Sequence, residues 1–319
     1  MDNTDIKEDY KVVGETDDDT FNGADFPTGP IRYTLRNDYM FKAVLQNNKR
    51  ALTGLLSALL SMHVEEIADA MVINPIELGE TIDDKTCILD IKVKLSNNTI
   101  INIELQVTKY EFWVERSLLY LCRMCNDLPK GEDYGKVRPT YHIGILDFWL
   151  PHKKKELYSE YRLMNIKNHE IYSSKFGINV LNLKAVGDDS VTKEPEEEEL
   201  YEWAKLFKAT TWEEIKMLAE KNEYIADTVV TLKQLTADEK IRMQCQARED
   251  YEHDRATLLR QGREEGIEEG RKEGEQIGEA RGRAEEKEAN IHKLAASYMK
   301  QDTSLTEEKA MEMARAILD

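Results

Sequence analysis

From Cys87 to Val107 the chain reads CILDIKVKLSNNTIINIELQV, and the alternation in this stretch restricts the fold more than any other feature. Cys87, Leu89, Ile91, Val93 and Leu95 take every second position of the first run, with Ile88, Asp90, Lys92 and Lys94 between them. Period two is the mark of a half-buried strand. In the second run Ile101, Ile103, Leu105 and Val107 share one face, and Asn102, Glu104, Gln106 and Thr108 share the other. Ser96, Asn97 and Asn98 between the runs are turn formers, so the stretch predicts an antiparallel hairpin.

Parity restricts the register. Directly opposed residues point to the same side of a sheet, and the apolar positions are odd-numbered in both runs, so opposed numbers sum to an even value. A two-residue loop is thereby excluded, and a three-residue loop closed in the left-handed region is favoured, a conformation that Asn97 and Asn98 suit. A loop over Ser96–Asn98 sets Asp90 opposite Glu104; a loop over Asn97–Thr99 sets it opposite Gln106. Both place the three polar groups on one face.

Two carboxylates held at a cross-strand separation of roughly 5 Å repel each other unless a cation or a proton intervenes. Mg²⁺ resolves such a conflict, because it takes one or two protein carboxylates and fills its octahedron with water and phosphate oxygens. The constellation is one that metal-assisted phosphodiester hydrolysis needs. It also describes a hairpin whose acidic outer face is merely solvated, and alternation alone leaves both readings open.

Further stretches follow one another in a fixed order: LRNDYMFKAVL from Leu35, ILDIKV from Ile88, NIELQV from Asn102, FWVERSLLYLCRM from Phe112, GEDYGKVRPTYHIGILDF from Gly131, and a glycine-spaced tail. Together they resemble the PD-(D/E)XK nuclease family transposases, or Rpn-type recombination-promoting nucleases, over roughly Tyr33 to Asn182 and the tail. The resemblance implies an α/β fold with a restriction-endonuclease-like mixed sheet flanked by helices and a metal site at one edge, followed here by an all-helical C-terminal region. It implies a metal-dependent DNA endonuclease linked to recombination or transposition, a mobile-element activity using Mg²⁺ or another divalent cation such as Mn²⁺. Carried onto this chain, the resemblance implies Asp90 as the motif aspartate, Glu104 as the second metal ligand and the Leu105 carbonyl as a further ligand. Gln106 stands where the superfamily's name places lysine. An amide orients a water by hydrogen bonding but carries no charge. The alternative is a catalytically inactive DNA-binding or assembly protein that retains the nuclease fold.

Asp38, at the start of the first expected helix, offers either a third acidic contact to the metal or a helix-dipole partner. On a helix expected over Glu111–Leu128, Arg116, Tyr120 and Arg123 fall at i, i+4 and i+7 and share a face. They form a phosphate clamp, or else the arginines make local ion pairs with Glu111 or Glu115.

A formal net charge of −18 argues against a polyanionic partner, but the distribution of that charge points the other way. Residues 1–30 carry −7, residues 31–187 carry +2 and residues 188–319 carry −13. The acid excess lies outside the expected nuclease-like domain, 31–187, which is left free to bind DNA. The first thirty residues are expected to be disordered, and VGDDSVTKEPEEEE marks a boundary before a helical region over 188–319. Helix is expected over Asp38–Leu60, and strands near Tyr141–Phe148, Glu156–Met164 and Phe176–Leu183. No run of eighteen apolar residues and no apolar leader is present, so a cytoplasmic protein with no membrane span is expected. Cys122 and Cys125 form a C-x-x-C with no second pair nearby, which does not make a zinc site.

In the tail, Gly262, Gly266, Gly270, Gly274, Gly278 and Gly282 recur every four residues. Each glycine costs a helix about 1 kcal/mol relative to alanine. Either the stripe admits a partner helix closely, which makes the chain a homo-oligomer through its C-terminal helices, or the segment is a solvated charged helix.

Overall fold

The computed structural model describes residues 21–23, 26–74, 90–125 and 131–318. Most of the acidic N-terminal segment and the start of the first expected strand, Cys87 to Leu89, lie outside them.

The alternating stretch folds as the hairpin β2 (Ile91–Lys94) and β3 (Ile100–Gln106), antiparallel with Ile91 opposite Ile103 and Lys94 opposite Ile100. The loop is Ser96–Asn98: Leu95 N–H donates to Thr99 O at 3.0 Å, Asn98 N–H to Leu95 O at 3.0 Å, and Asn98 lies at φ +66°. Around the hairpin stand β1 (Met71–Val72), β4 (Thr140–Leu146), β5 (Tyr158–Met164) and β6 (Ile171–Asn182), giving the order β1-β2-β3-β4-β6-β5. β3, β4 and β6 run parallel, while β1 with β2, β2 with β3 and β5 with β6 are antiparallel. The sheet is mixed.

The helix expected over residues 38–60 is two helices, α1 (Asp38–Asn47) and α2 (Lys49–Leu60). Asn48 divides them: its extended backbone closes α1 with an N–H bond to Val44 O, and its side chain caps α2 by accepting from Ala51 N–H at 2.9 Å. A single turn, α3 (Val64–Ile67), leads to β1. The parallel step from β3 to β4 is made through α4 (Trp113–Cys125). After the sheet come α5 (Glu198–Lys208), α6 (Trp212–Ala219), α7 (Glu223–Ala237), α8 (Glu239–Gln301) and α9 (Glu307–Leu318).

Both faces of the sheet are covered. The odd-numbered side chains Ile91, Val93, Ile101, Ile103, Ile143 and Ile145 form one core with α1, α2, α5, α6 and α7. On the other face Trp113 of α4 packs with Leu146, Phe148, Ile178 and Val180. β3 is consequently buried from Ile100 through Leu105 on both sides, as strands inside a parallel sheet are. On the polar face of the hairpin Asp90, Asn102 and Glu104 are buried, while Lys92, Lys94 and Gln106 are half-buried.

Two compact units divide the chain, one ending at Tyr251 and one from Glu252 onward. The helices α5–α7 share the first unit's core, and Gly29 and Ile31 are tied to the start of α6 by backbone bonds with Trp212 and Thr210. In the second unit Ile291 and Ala295 of α8 pack on Ala310 and Ala314 of α9. Gly262 to Gly282 lie in α8, exposed, with nothing within 4 Å of where a Cβ would stand. No helix among the described residues is long and apolar enough to cross a membrane.

Candidate active site

The site begins with main-chain geometry. Asp90 immediately precedes β2, and the Asn74 side chain braces it: Nδ2 donates to Asp90 O at 3.0 Å and Oδ1 accepts from Lys92 N–H at 2.7 Å. Extending the pairing of Ile91 with Ile103 by one step sets Asp90 opposite Glu104, the first of the two registers that parity allows. Gln106 lies two residues further along the same face.

Both carboxylates are buried, Asp90 at 6% and Glu104 at 5% exposure. Glu104 faces two groups: Arg116 Nη2 of α4 lies 2.7 Å from Oε1, and His142 Nε2 of β4 lies 3.4 Å from Oε2. Neither Glu104 oxygen has a well-aligned hydrogen bond. On the far side of the imidazole, Asn102 Nδ2 is 3.2 Å from His142 Nδ1. Arg116 is held between rings, 5.4 Å from the centroid of Tyr110 and 5.2 Å from that of Tyr120. The helix that supplies it is seated by Trp113 over Gly144, the residue paired with Glu104 across β3 and β4.

Electrostatics at Asp90 are set by burial, which pushes its carboxyl above the ordinary aspartate range; Lys92 and Lys42 pull it back, and Glu104 adds to the rise. Lys42 of α1 is shifted the opposite way, downward, first by burial, with Asp90 opposing. A buried carboxyl in the position of Asp90 takes up a proton or a cation more readily than an exposed one. Among the described residues no group of three or more His, Cys, Asp or Glu side chains is arranged to hold a metal ion.

The remaining sequence candidates are dispersed. Gln106 is half-buried and its Nε2 donates to Thr108 O at 2.9 Å. Leu105 is buried beyond the last β2–β3 pair and is paired with Ile145 of β4. Asp38 is engaged by Arg248 of α8, with Nε 2.9 Å from Oδ1 and Nη2 2.7 Å from Oδ2. Tyr120 is edge-on to His142 at 5.8 Å, whereas Arg123, on the same helix face, is exposed and makes no ion pair among the described residues. Cys122 and Cys125 are free thiols.

Four participants were not singled out from the sequence: Lys42, Asn74, His142 and Asp147, the last paired with Arg36 at 2.5 Å. His142 had a readable signal, since it falls on the even face of an alternating strand, the face shared with Glu104. Lys42 had none, because a lysine in an amphipathic helix ordinarily reads as solvated.

No curated protein and no solved structure matches this chain. A family model, described as PD-(D/E)XK nuclease family transposase, matches residues 35–262, which takes in the sheet, α1 to α7 and the beginning of α8. With most of its length so matched, the chain belongs to the PD-(D/E)XK nuclease family transposases.

Proposed function

We propose that this protein is a metal-dependent DNA endonuclease, hydrolysing phosphodiester bonds in recombination or transposition. The observation that carries this reading is the pair of buried carboxylates, Asp90 and Glu104, set opposite each other by the hairpin register, with both Glu104 oxygens lacking a hydrogen bond. The donor set fits Mg²⁺ or Mn²⁺: two carboxylates and the Leu105 carbonyl leave positions for water and phosphate oxygens, as a hard cation requires. Such a cation supplies Lewis-acid stabilisation of the scissile phosphate and a more acidic water.

The chain's own groups do the rest. Gln106, its amide nitrogen committed to Thr108 O, uses Oε1 to accept a hydrogen bond from the attacking water and so orients it. Arg116, held against the rings of Tyr110 and Tyr120, would exchange Glu104 for a phosphate oxygen once a cation answers that carboxylate. Tyr120 fixes that position, and exposed Arg123 binds the neighbouring phosphate. Asp38 anchors α1 through Arg248, and serving as a third metal contact would forfeit that pair.

One observation favours the second reading, a catalytically inactive DNA-binding or assembly protein: the neutral Gln106 at the motif's lysine position. A second copy of this chain is the partner proposed for the glycine-spaced part of α8.

Nicking of supercoiled plasmid decides between the readings. Purified protein is expected to nick with Mg²⁺ or Mn²⁺ and not with EDTA, and Asp90→Ala and Glu104→Ala to lose at least ~100-fold in rate while keeping the wild-type circular dichroism spectrum. Folded wild-type protein that nicks with neither cation establishes the inactive reading.

A further inference from the structure

The imidazole of His142 is fully buried and its ring is clamped, with the Trp113 ring tilted against it at 5.8 Å and the Tyr120 ring edge-on at 5.8 Å. A buried imidazole needs partners for both ring nitrogens. Nδ1 lies 3.2 Å from Nδ2 of Asn102, the residue paired with His142 across β3 and β4. Nε2 faces Glu104 Oε2 at 3.4 Å and has no hydrogen bond among the described residues. Oε2 is equally without one. Two orphaned polar atoms, both shut away from water, therefore face each other. Arg116 takes the other oxygen of Glu104, its Nη2 2.7 Å from Oε1. A single proton between Nε2 and Oε2 turns the looser contact into a hydrogen bond, and an ionised carboxylate, which only accepts, receives that bond from the imidazole N–H.

We propose that His142 is the positioning residue for Glu104: its Nε2–H holds Oε2 and so keeps the other oxygen available to the cation when Arg116 moves to phosphate. The inference rests on the endonuclease reading of this site. The terminal torsion of a glutamate is broad, so a carboxylate without a partner presents either oxygen in turn. Once Arg116 has exchanged Glu104 for a phosphate oxygen, His142 is the group that remains against that carboxylate. Its ring does not follow the exchange, because Trp113, Tyr120 and Asn102 fix it. A donor behind a metal ligand raises metal affinity by fixing the ligand beforehand, and its loss typically costs about 10–100-fold. An imidazole that merely fills the space beside α4 has no such effect.

Full-length wild type, His142→Gln and His142→Leu are compared by calorimetric titration with Mn²⁺ and by plasmid nicking. Glutamine keeps an N–H near the place of Nε2, whereas leucine keeps bulk without a donor. His142→Leu is expected to bind Mn²⁺ on the order of 10-fold more weakly than wild type, and His142→Gln to retain most of the affinity. In EDTA, ¹⁵N NMR of the histidine rings reads the contact directly: the His142 Nε2 resonance, assigned by its absence from His142→Gln, should move in Glu104→Ala. If His142→Leu does not fold, His142→Met carries the same comparison. A folded apolar variant that binds Mn²⁺ like wild type, a glutamine variant that loses as much affinity as the apolar one, or an unmoved Nε2 resonance overturns the proposal. Wild type that binds Mn²⁺ yet never nicks defeats the endonuclease reading separately, and the Mn²⁺ affinities and the Nε2 resonance then decide alone whether His142 positions Glu104. Wild type that binds no Mn²⁺ overturns both.

Discussion

Asp90 shows how a single residue's environment is set by everything around it. Its neighbours on β2 are ordinary strand residues, yet burial raises its carboxyl above the usual aspartate range, and two lysines oppose that rise without cancelling it. Because the folded pKa lies above the unfolded value, Asp90 imposes no penalty below the normal aspartate value of about 3.9 and a growing one as pH climbs through the folded value. In EDTA, Asp90→Asn should therefore melt above wild type at pH 8 and together with wild type near pH 3.5, by calorimetric scans. An Asp90→Asn protein that melts below wild type at pH 8 would mean that the lysine fields outweigh burial. The identity of this residue as a candidate was legible in the alternation, because parity is a local property. Its charge state was not, since Lys42 and Lys92 reach it from different elements.

At the scale of elements, the hairpin and α4 together make the site. The three-residue loop fixes the register, and the register places Asp90 against Glu104; one extra loop residue would turn every side chain of one strand to the other face. Helix α4 then packs on β4 and β6 and reaches Glu104 through Arg116, and its close approach depends on Gly144, where a Cβ would overlap the Trp113 ring. Gly144→Ala forces α4 outward and should cost about 1–3 kcal/mol, seen as a lower urea midpoint at unchanged slope. It should also slow nicking, because Gly144 is the β4 partner of Glu104 and Arg116 rides on the displaced helix. An unchanged midpoint would mean that α4 is not seated by Trp113. The face periodicity of Arg116, Tyr120 and Arg123 was visible in the sequence, as was the existence of the helix. What Arg116 touches was not: the local ion pairs with Glu111 or Glu115 that spacing allows give way to Glu104, on a strand underneath.

Across the whole molecule, composition and packing divide the chain differently. Charge changes sign near residue 188, where the acidic excess begins. Packing continues past that point, since Leu200, Trp203, Phe207, Ile215, Val229 and Leu232 share one core with the sheet, and the last members of that core are Ile241 and Cys245. A chain ending at Tyr251 should accordingly unfold in a single transition with the wild-type core intact. If α8 joins copies of the chain, light scattering should show full-length protein at a higher stoichiometry than the truncated form. Equal stoichiometry would make the glycine-spaced segment a solvated helix, held by the exposed pairs of Arg271 with Glu268 and Glu275 and of Arg281 with Glu285.

The sequence by itself determined the two hairpin strands, the helix that carries Arg116, the parity of the hairpin and the shared face of Asp90, Glu104 and Gln106, because period and parity depend only on neighbours along the chain. Tertiary structure decided which register is used, that Asp90, Asn102 and Glu104 on the polar face are buried instead of solvated, that Arg116 and His142 converge on Glu104, and that Lys42 lies within the field of Asp90. It also gave Asp38 to Arg248, a partner 210 residues away. Those pairings join segments far apart in sequence, and their energies depend on burial and distance, which exist only once the sheet and its two helical layers have closed around them.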